Sequence, residues 1–157
     1  MSLKFMGFLV RDGRWWVVGV PALEVWSQGK TRIDACRMIK EAVEMSINRP
    51  IKVNVLPMPG NCFVLYAKDS RNDRYLLATM LKRQRGNSGL SLGQTAKRLK
   101  VASKTYSQYE QGRLLPSITK ILEYISAMNN DDHVVLDVVS KQGPLRRSYR
   151  FLSPKSY

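Results

Sequence analysis

The chain has 157 residues, with 26 Lys and Arg against 12 Asp and Glu, for a formal net charge of +14 and a pI near 10.1. That length holds one domain or two small ones, and 44% hydrophobic with 9% aromatic residues describes a folded chain rather than a disordered basic tail. Two unspaced cysteines, Cys36 and Cys62, and a single histidine, His133, supply neither a disulfide framework nor the ligands of a structural zinc site. No metal, cofactor or catalytic group is therefore expected, and a reducing cytoplasm suits the cysteine usage. The amino-terminal apolar stretch is cut by Arg11 and Asp12 before it reaches signal-peptide form, and no run is apolar enough to span a membrane.

The first half reads as strand-rich. Leu3 to Val10 is apolar on both alternation phases, and Asp12-Gly13 is a short-hairpin signal before Trp15 to Val20. Strands apolar on both sides belong in a sheet covered on at least one face. Pro21 ends the second strand, and Leu23 to Ser27 can return as a third. A helix follows, with Thr31 and Asp34 as its capping pair and Ile33, Cys36, Ile39, Val43 and Ile47 as its apolar stripe. Asn48-Arg49-Pro50 stops it. Ile51 to Leu56 and Phe63 to Ala67 are further strand candidates around Pro57 to Asn61.

Beyond the polar stretch 69–74 the apolar period changes from 2 to 3.6 residues, which marks a boundary. Helical patterns cover Arg74 to Arg85, Ser91 to Leu99, Ser103 to Gln111 and Ser117 to Met128, joined by short connections with Gly86, Gly89 and Gly112. The tail, 129–157, carries a strand pattern at Val134 to Val139. The fold class expected is α+β: a small βββαβ domain over 1–68, a linker over 69–74, an all-α module of four to five helices over 75–128, and a short β tail.

Charge separates these halves. Residues 1–68 carry ten Lys and Arg against five acids, a net of +5. Residues 75–128 carry nine (Lys82, Arg83, Arg85, Lys97, Arg98, Lys100, Lys104, Arg113, Lys120) against Glu110 and Glu123, a net of +7 in a shorter span. Such density points to an anionic partner once a scaffold aims it. The scaffold is in residues 89–112. Ser91 caps a short helix with Leu92, Ala96 and Leu99 inward, and Lys100-Val101-Ala102 turns the chain. A second helix then presents Tyr106 and Tyr109 inward and Ser103, Lys104, Ser107 and Gln108 outward. This is a helix-turn-helix, whose second helix enters the major groove.

Residues 75–128 resemble the Cro/repressor-type helix-turn-helix family in Ala96, Val101, Glu110, Gly112 and Pro116. The resemblance implies double-stranded operator DNA as a partner. It assigns base-facing roles to Ser103, Lys104, Ser107 and Gln108, with Thr105 near the backbone. Lys82, Arg83, Arg98, Lys100 and Arg113 are candidate phosphate contacts. Where that family has a turn glycine this chain has Lys100, which must take a left-handed conformation or use a modified turn. One recognition helix covers a half-site, so a homodimer or higher homo-oligomer is expected.

In the first half, Val20-Pro21-Ala22-Leu23 and Ser27-Gln28-Gly29-Lys30-Thr31, followed by a helix containing Ile39 to Glu44, resemble the HicB antitoxin domain. That resemblance implies a partly degenerate ribonuclease-H-like fold, without nuclease activity, that binds a small HicA-like toxin ribonuclease. Trp15, Trp16 and Trp26 are the candidate toxin-binding residues; filling the core is their other possible role. The function expected is that of an antitoxin and autorepressor. Two alternatives stand beside it: a stand-alone DNA-binding regulator whose first domain senses a ligand or mediates oligomerisation, and an active nuclease using Asp12 or Glu24.

Overall fold

The computed structural model describes residues 3–128. Its first half is one antiparallel sheet of β1 (Lys4–Asp12), β2 (Trp15–Val20), β3 (Val25–Gly29), β4 (Val53–Pro57) and β5 (Cys62–Ala67), in the spatial order β3-β2-β1-β5-β4. The helix α1 (Arg32–Ser46) lies across one face. Both strand candidates after the helix form strands, so the order is βββαββ, one strand more than the βββαβ expected of the domain. Gly60, at φ 78°, turns β4 into β5, and Val55 pairs with Leu65 in their ladder.

Two local expectations also change. The third strand begins at Val25, not Leu23, because Pro21 starts a 3-10 turn over Pro21–Leu23 that buries Leu23 and closes when Glu24 N–H donates to Pro21 O at 2.9 Å. The α1 stripe is Ala35, Ile39 and Val43, continued by Ile47. Ile33, expected on it, is 85% exposed, since it stands two residues from Ala35 and so roughly 200° round the helix. Thr31 caps α1 as expected, its Oγ1 accepting from Asp34 N at 3.1 Å. At Gly29 a Cβ would lie 2.3 Å from Ala35 N, so only glycine lets α1 start directly on β3.

The covered face of the sheet carries Phe5, Leu9, Val18, Val20, Val25, Phe63 and Leu65, all buried. Each fully buried large apolar side chain contributes about 1.5–3 kcal/mol. The second half is four helices among the described residues: α2 (Asp73–Asn87), α3 (Leu92–Arg98), α4 (Ser103–Glu110) and α5 (Ile118–Met128). Leu76, Leu77, Met80 and Leu81 of α2 belong to the same buried cluster as the sheet residues, so the halves share one core. The segment expected as a linker over 69–74 contains a 3-10 turn, Ser70–Asn72, and the first residues of α2, and the Asp73 carboxylate accepts from Leu3 N at 2.7 Å. The strand expected at Val134 to Val139 lies outside the described residues.

Candidate nucleic-acid interface and an uncovered sheet face

α3 and α4 form a close pair. Ser91 and Gln94 make a reciprocal capping box at the start of α3, and Val101 N donates to Ala96 O at 3.0 Å to close the turn. Ala96 is buried where the helices cross. Lys100 takes φ 53°, the left-handed conformation that favours glycine and costs a lysine roughly 1–2 kcal/mol.

What holds α4 is polar and internal. Arg85 on α2 donates to both carboxylate oxygens of Glu110, at 2.6 and 3.0 Å, with side chains 21% and 7% exposed. Tyr106 donates to Tyr124 at 3.0 Å, and Tyr124 donates to Leu81 O. Burial pushes both phenols up, Tyr124 to about 12, so both are neutral donors at any ordinary pH. Gly112, at φ 66°, passes so close to Tyr75 that a Cβ would lie 2.7 Å from its ring. These side chains tie the end of α4 to α2 and α5. Local sequence offered Glu110 and Gly112 but not Arg85, which is 25 residues from its partner.

A family model described as a helix-turn-helix domain matches residues 76–135. The match supports a DNA-binding helix-turn-helix domain in the second half of the chain. No curated protein and no solved structure matches the chain.

Within the helix-turn-helix domain, Ser103 and Lys104 are exposed at the start of α4. Ser107 and Gln108 are half-buried one turn on, and Thr105 is half-buried beside them. Ser107 Oγ accepts from Gln111 Nε2 at 2.9 Å. Of the candidate phosphate contacts, Lys82, Lys100 and Arg113 are exposed. Arg98 is exposed too but donates to Ala127 O at 3.1 Å, and Arg83 donates across the chain to Leu23 O. The last two therefore hold main-chain carbonyls in this structure.

Among the described residues no helix lies over the sheet face opposite α1. The register places Val10 opposite Val17, Met6 opposite Val64, and Gly19 between Phe8 and Trp26. Trp15 and Trp26, 42% and 54% exposed, lie there with exposed Met6, Val10 and Leu56. A Cβ on Gly19 would lie 2.4 Å from the Trp26 ring, so the glycine makes a seat where that ring packs edge-on against Phe8, centroids 5.3 Å apart. Trp16 lies on the other face, half-buried, with the Arg11 and Arg32 guanidinium groups 5.7 and 5.3 Å from its ring centre. Trp15 and Trp26 stand outside the core, while Trp16 packs, partly buried, against it.

Asp12 and Glu24 hold local positions in the sheet half, Asp12 opposite Trp15 in the ladder. Asp12 is exposed at the β1 hairpin end, and Glu24 holds the φ 50° position after the 3-10 turn, accepting from Asn87. No group of three or more His, Cys, Asp or Glu among the described residues could hold a metal ion, and no described helix is long and apolar enough to cross a membrane.

Proposed function

We propose that this protein is a HicB-like antitoxin that represses its own operon. In this reading α4 reads operator DNA, and the uncovered face of a ribonuclease-H-like sheet, used without nuclease chemistry, binds and blocks a small HicA-like toxin in the cytoplasm. One observation carries the DNA-binding part: within the matched helix-turn-helix domain, α4 turns outward a short polar face, Ser103, Lys104, Ser107 and Gln108, that contains no carboxylate. Lys104 donates to guanine O6/N7 and Gln108 pairs with adenine N6/N7, each contact worth about 1–3 kcal/mol of discrimination. Lys82, Arg98, Lys100, Arg113 and Thr105, with Arg83 behind them, serve the phosphates. Two copies present two recognition helices to half-sites about 34 Å apart.

Operator selection from a random duplex library tests this. Wild type is expected to enrich one palindromic sequence, and Lys104→Ala/Gln108→Ala to lose that preference while keeping its melting temperature. An unchanged preference in the double variant sinks the assignment of α4.

A second reading draws on the same uncovered face. Its interior is apolar and uncharged, and a net charge of +14 offers a basic toxin no long-range attraction. A face of that kind can pair with its own copy about a two-fold axis, which would make the protein a stand-alone regulator. Co-expression with the neighbouring reading frame, followed by size-exclusion with light scattering, separates the readings. A small protein co-eluting with wild type and lost in Trp15→Ser/Trp26→Ser supports the antitoxin. A dimer of the chain alone that the same variant dissociates supports the regulator.

A further inference from the structure

We infer that the sheet half takes part in the DNA interface: a basic cleft joining it to the helical half holds the phosphate strand that borders the groove read by α4, with Arg49 as the sheet half's contribution. This rests on the DNA-binding reading above. The cleft, about 850 Å³, lies where the end of α1, the flank of α2 and the carboxyl end of α4 meet, and its walls include Arg49, Tyr75, Lys82, Gln111 and Arg113.

Its charge is one-sided. Arg49, Lys82 and Arg113 are exposed, and none of them forms an ion pair with a described residue. The acid in the wall is Glu110, and both its oxygens are taken by Arg85. Tyr75 supports the arrangement from below, with the Arg49 guanidinium 5.9 Å from its ring centre. Arg83, also in the wall, donates to Leu23 O, and the other three like charges, from separate stretches of chain around one hollow, repel each other, a cost that an anion laid among them removes.

Geometry selects a phosphate strand as the anion. Gln111 lies three and four residues after Gln108 and Ser107, on the same stripe of α4, and is bonded to Ser107, so the cleft continues the polar face of the helix. The eight residues of α4 span about 12 Å, close to the major-groove width of about 12 Å. A helix laid across the groove therefore brings its carboxyl end to the bordering backbone.

The test uses a random-sequence duplex about three helical turns long, with binding followed by fluorescence anisotropy between about 50 and 200 mM KCl. Arg49→Gln/Lys82→Gln is expected to reduce the slope of log K against log salt by about 1.8, two phosphates at about 0.9 each. Arg14→Gln/Lys30→Gln, which removes the same charge from exposed positions outside the cleft, is expected to leave the slope nearly unchanged. All four residues are exposed, and thermal melts confirm folding. Steep binding by wild type with an unaltered slope in the cleft variant, or an equal loss in the control, overturns the cleft while the DNA-binding reading stands. A wild type that binds no duplex overturns that reading and the cleft with it.

Discussion

The uncovered face of the sheet and the outer face of α4 are both open to solvent, yet they are built in opposite ways. On the sheet, apolar side chains are exposed among a few polar ones and held by surface packing: Trp26 rests on Gly19 and against Phe8. On α4 they are small, polar or cationic, and what holds them lies underneath, in the Arg85–Glu110 pair and the Tyr106–Tyr124 bond. Apolar contact gains about 25 cal/mol per Å² removed from water and responds little to salt, whereas phosphate contact weakens steeply with it. The two faces thus suit contacts of different physical kinds, and perturbations should affect them separately.

The largest expected effect comes from beneath α4. Glu110→Gln leaves Arg85 with its charge partly buried and unpaired, and is expected to cost about 3 kcal/mol, the low end for breaking a buried pair, because Arg85 keeps 21% exposure and its bond to Leu90 O. Chemical denaturation measures it. The shared core makes the loss appear as one shifted transition; two transitions, with the sheet half unmoved, would break the view of a single cooperative unit.

Next comes the sheet. Trp26→Ser is expected to weaken whatever association the uncovered face supports by about 2 kcal/mol, the scale of an interface anchor, and to leave duplex binding unchanged. Isothermal titration of the co-purified partner, or the dimer dissociation constant by sedimentation, reads it at two salt concentrations. Strong salt dependence of that association would contradict an apolar contact.

Alkaline titration sharpens the other side. Burial raises both phenols above the usual value of about 10, Tyr124 to about 12. For an acid whose folded pKa lies above its unfolded value, the neutral form's contribution is whole below about pH 10. It is lost as pH climbs through about 12. Wild type should therefore lose stability over that window, and Tyr124→Phe should start about 1 kcal/mol lower at neutral pH and fall less steeply. Parallel curves for the two proteins would show that the phenol chain does not set the alkaline limit.

Much of the fold was legible because its signals are local. The Asp12-Gly13 hairpin, the Thr31 cap, the Ser91 cap and the helix periods each lie within a few residues. The missed features are those decided at a distance. Ile33 looked like part of a stripe, and only the angular position of Ala35 against Gly29 excludes it. Leu23 has the composition of a strand residue, but Pro21 curls it into a turn under α2. In the candidate site, the outward residues of α4 were readable from spacing, since i, i+3 and i+4 positions share a face. Nothing in the sequence discloses that the carbonyls of Leu23 and Ala127 accept from Arg83 and Arg98, both candidate phosphate contacts. Arg49 was counted only in the diffuse +5 of the first half, and its place beside Lys82 and Arg113 depends on how the shared core sets the halves together.

The smallest expected effect falls on a single turn residue. Lys100 holds φ 53° between α3 and α4, a conformation that costs a lysine roughly 1–2 kcal/mol, whereas glycine enters it freely but loses more entropy on folding. Lys100→Gly should thus raise stability by a net of about 1 kcal/mol or less. If Lys100 also touches a phosphate, the same change should lower the salt slope by about 0.9, so that a more stable protein binds DNA less well. Denaturation and anisotropy on one preparation read both quantities. A gain in stability with no change in slope would place Lys100 outside the phosphate track and leave the turn as strain without a compensating contact. A slope that falls without any gain in stability would mean that the turn tolerates lysine through the neighbouring α3 and α4 packing. Either result sharpens the contrast with the sheet half, where the positive-φ position of Glu24 is closed by its own N–H donating to Pro21 O.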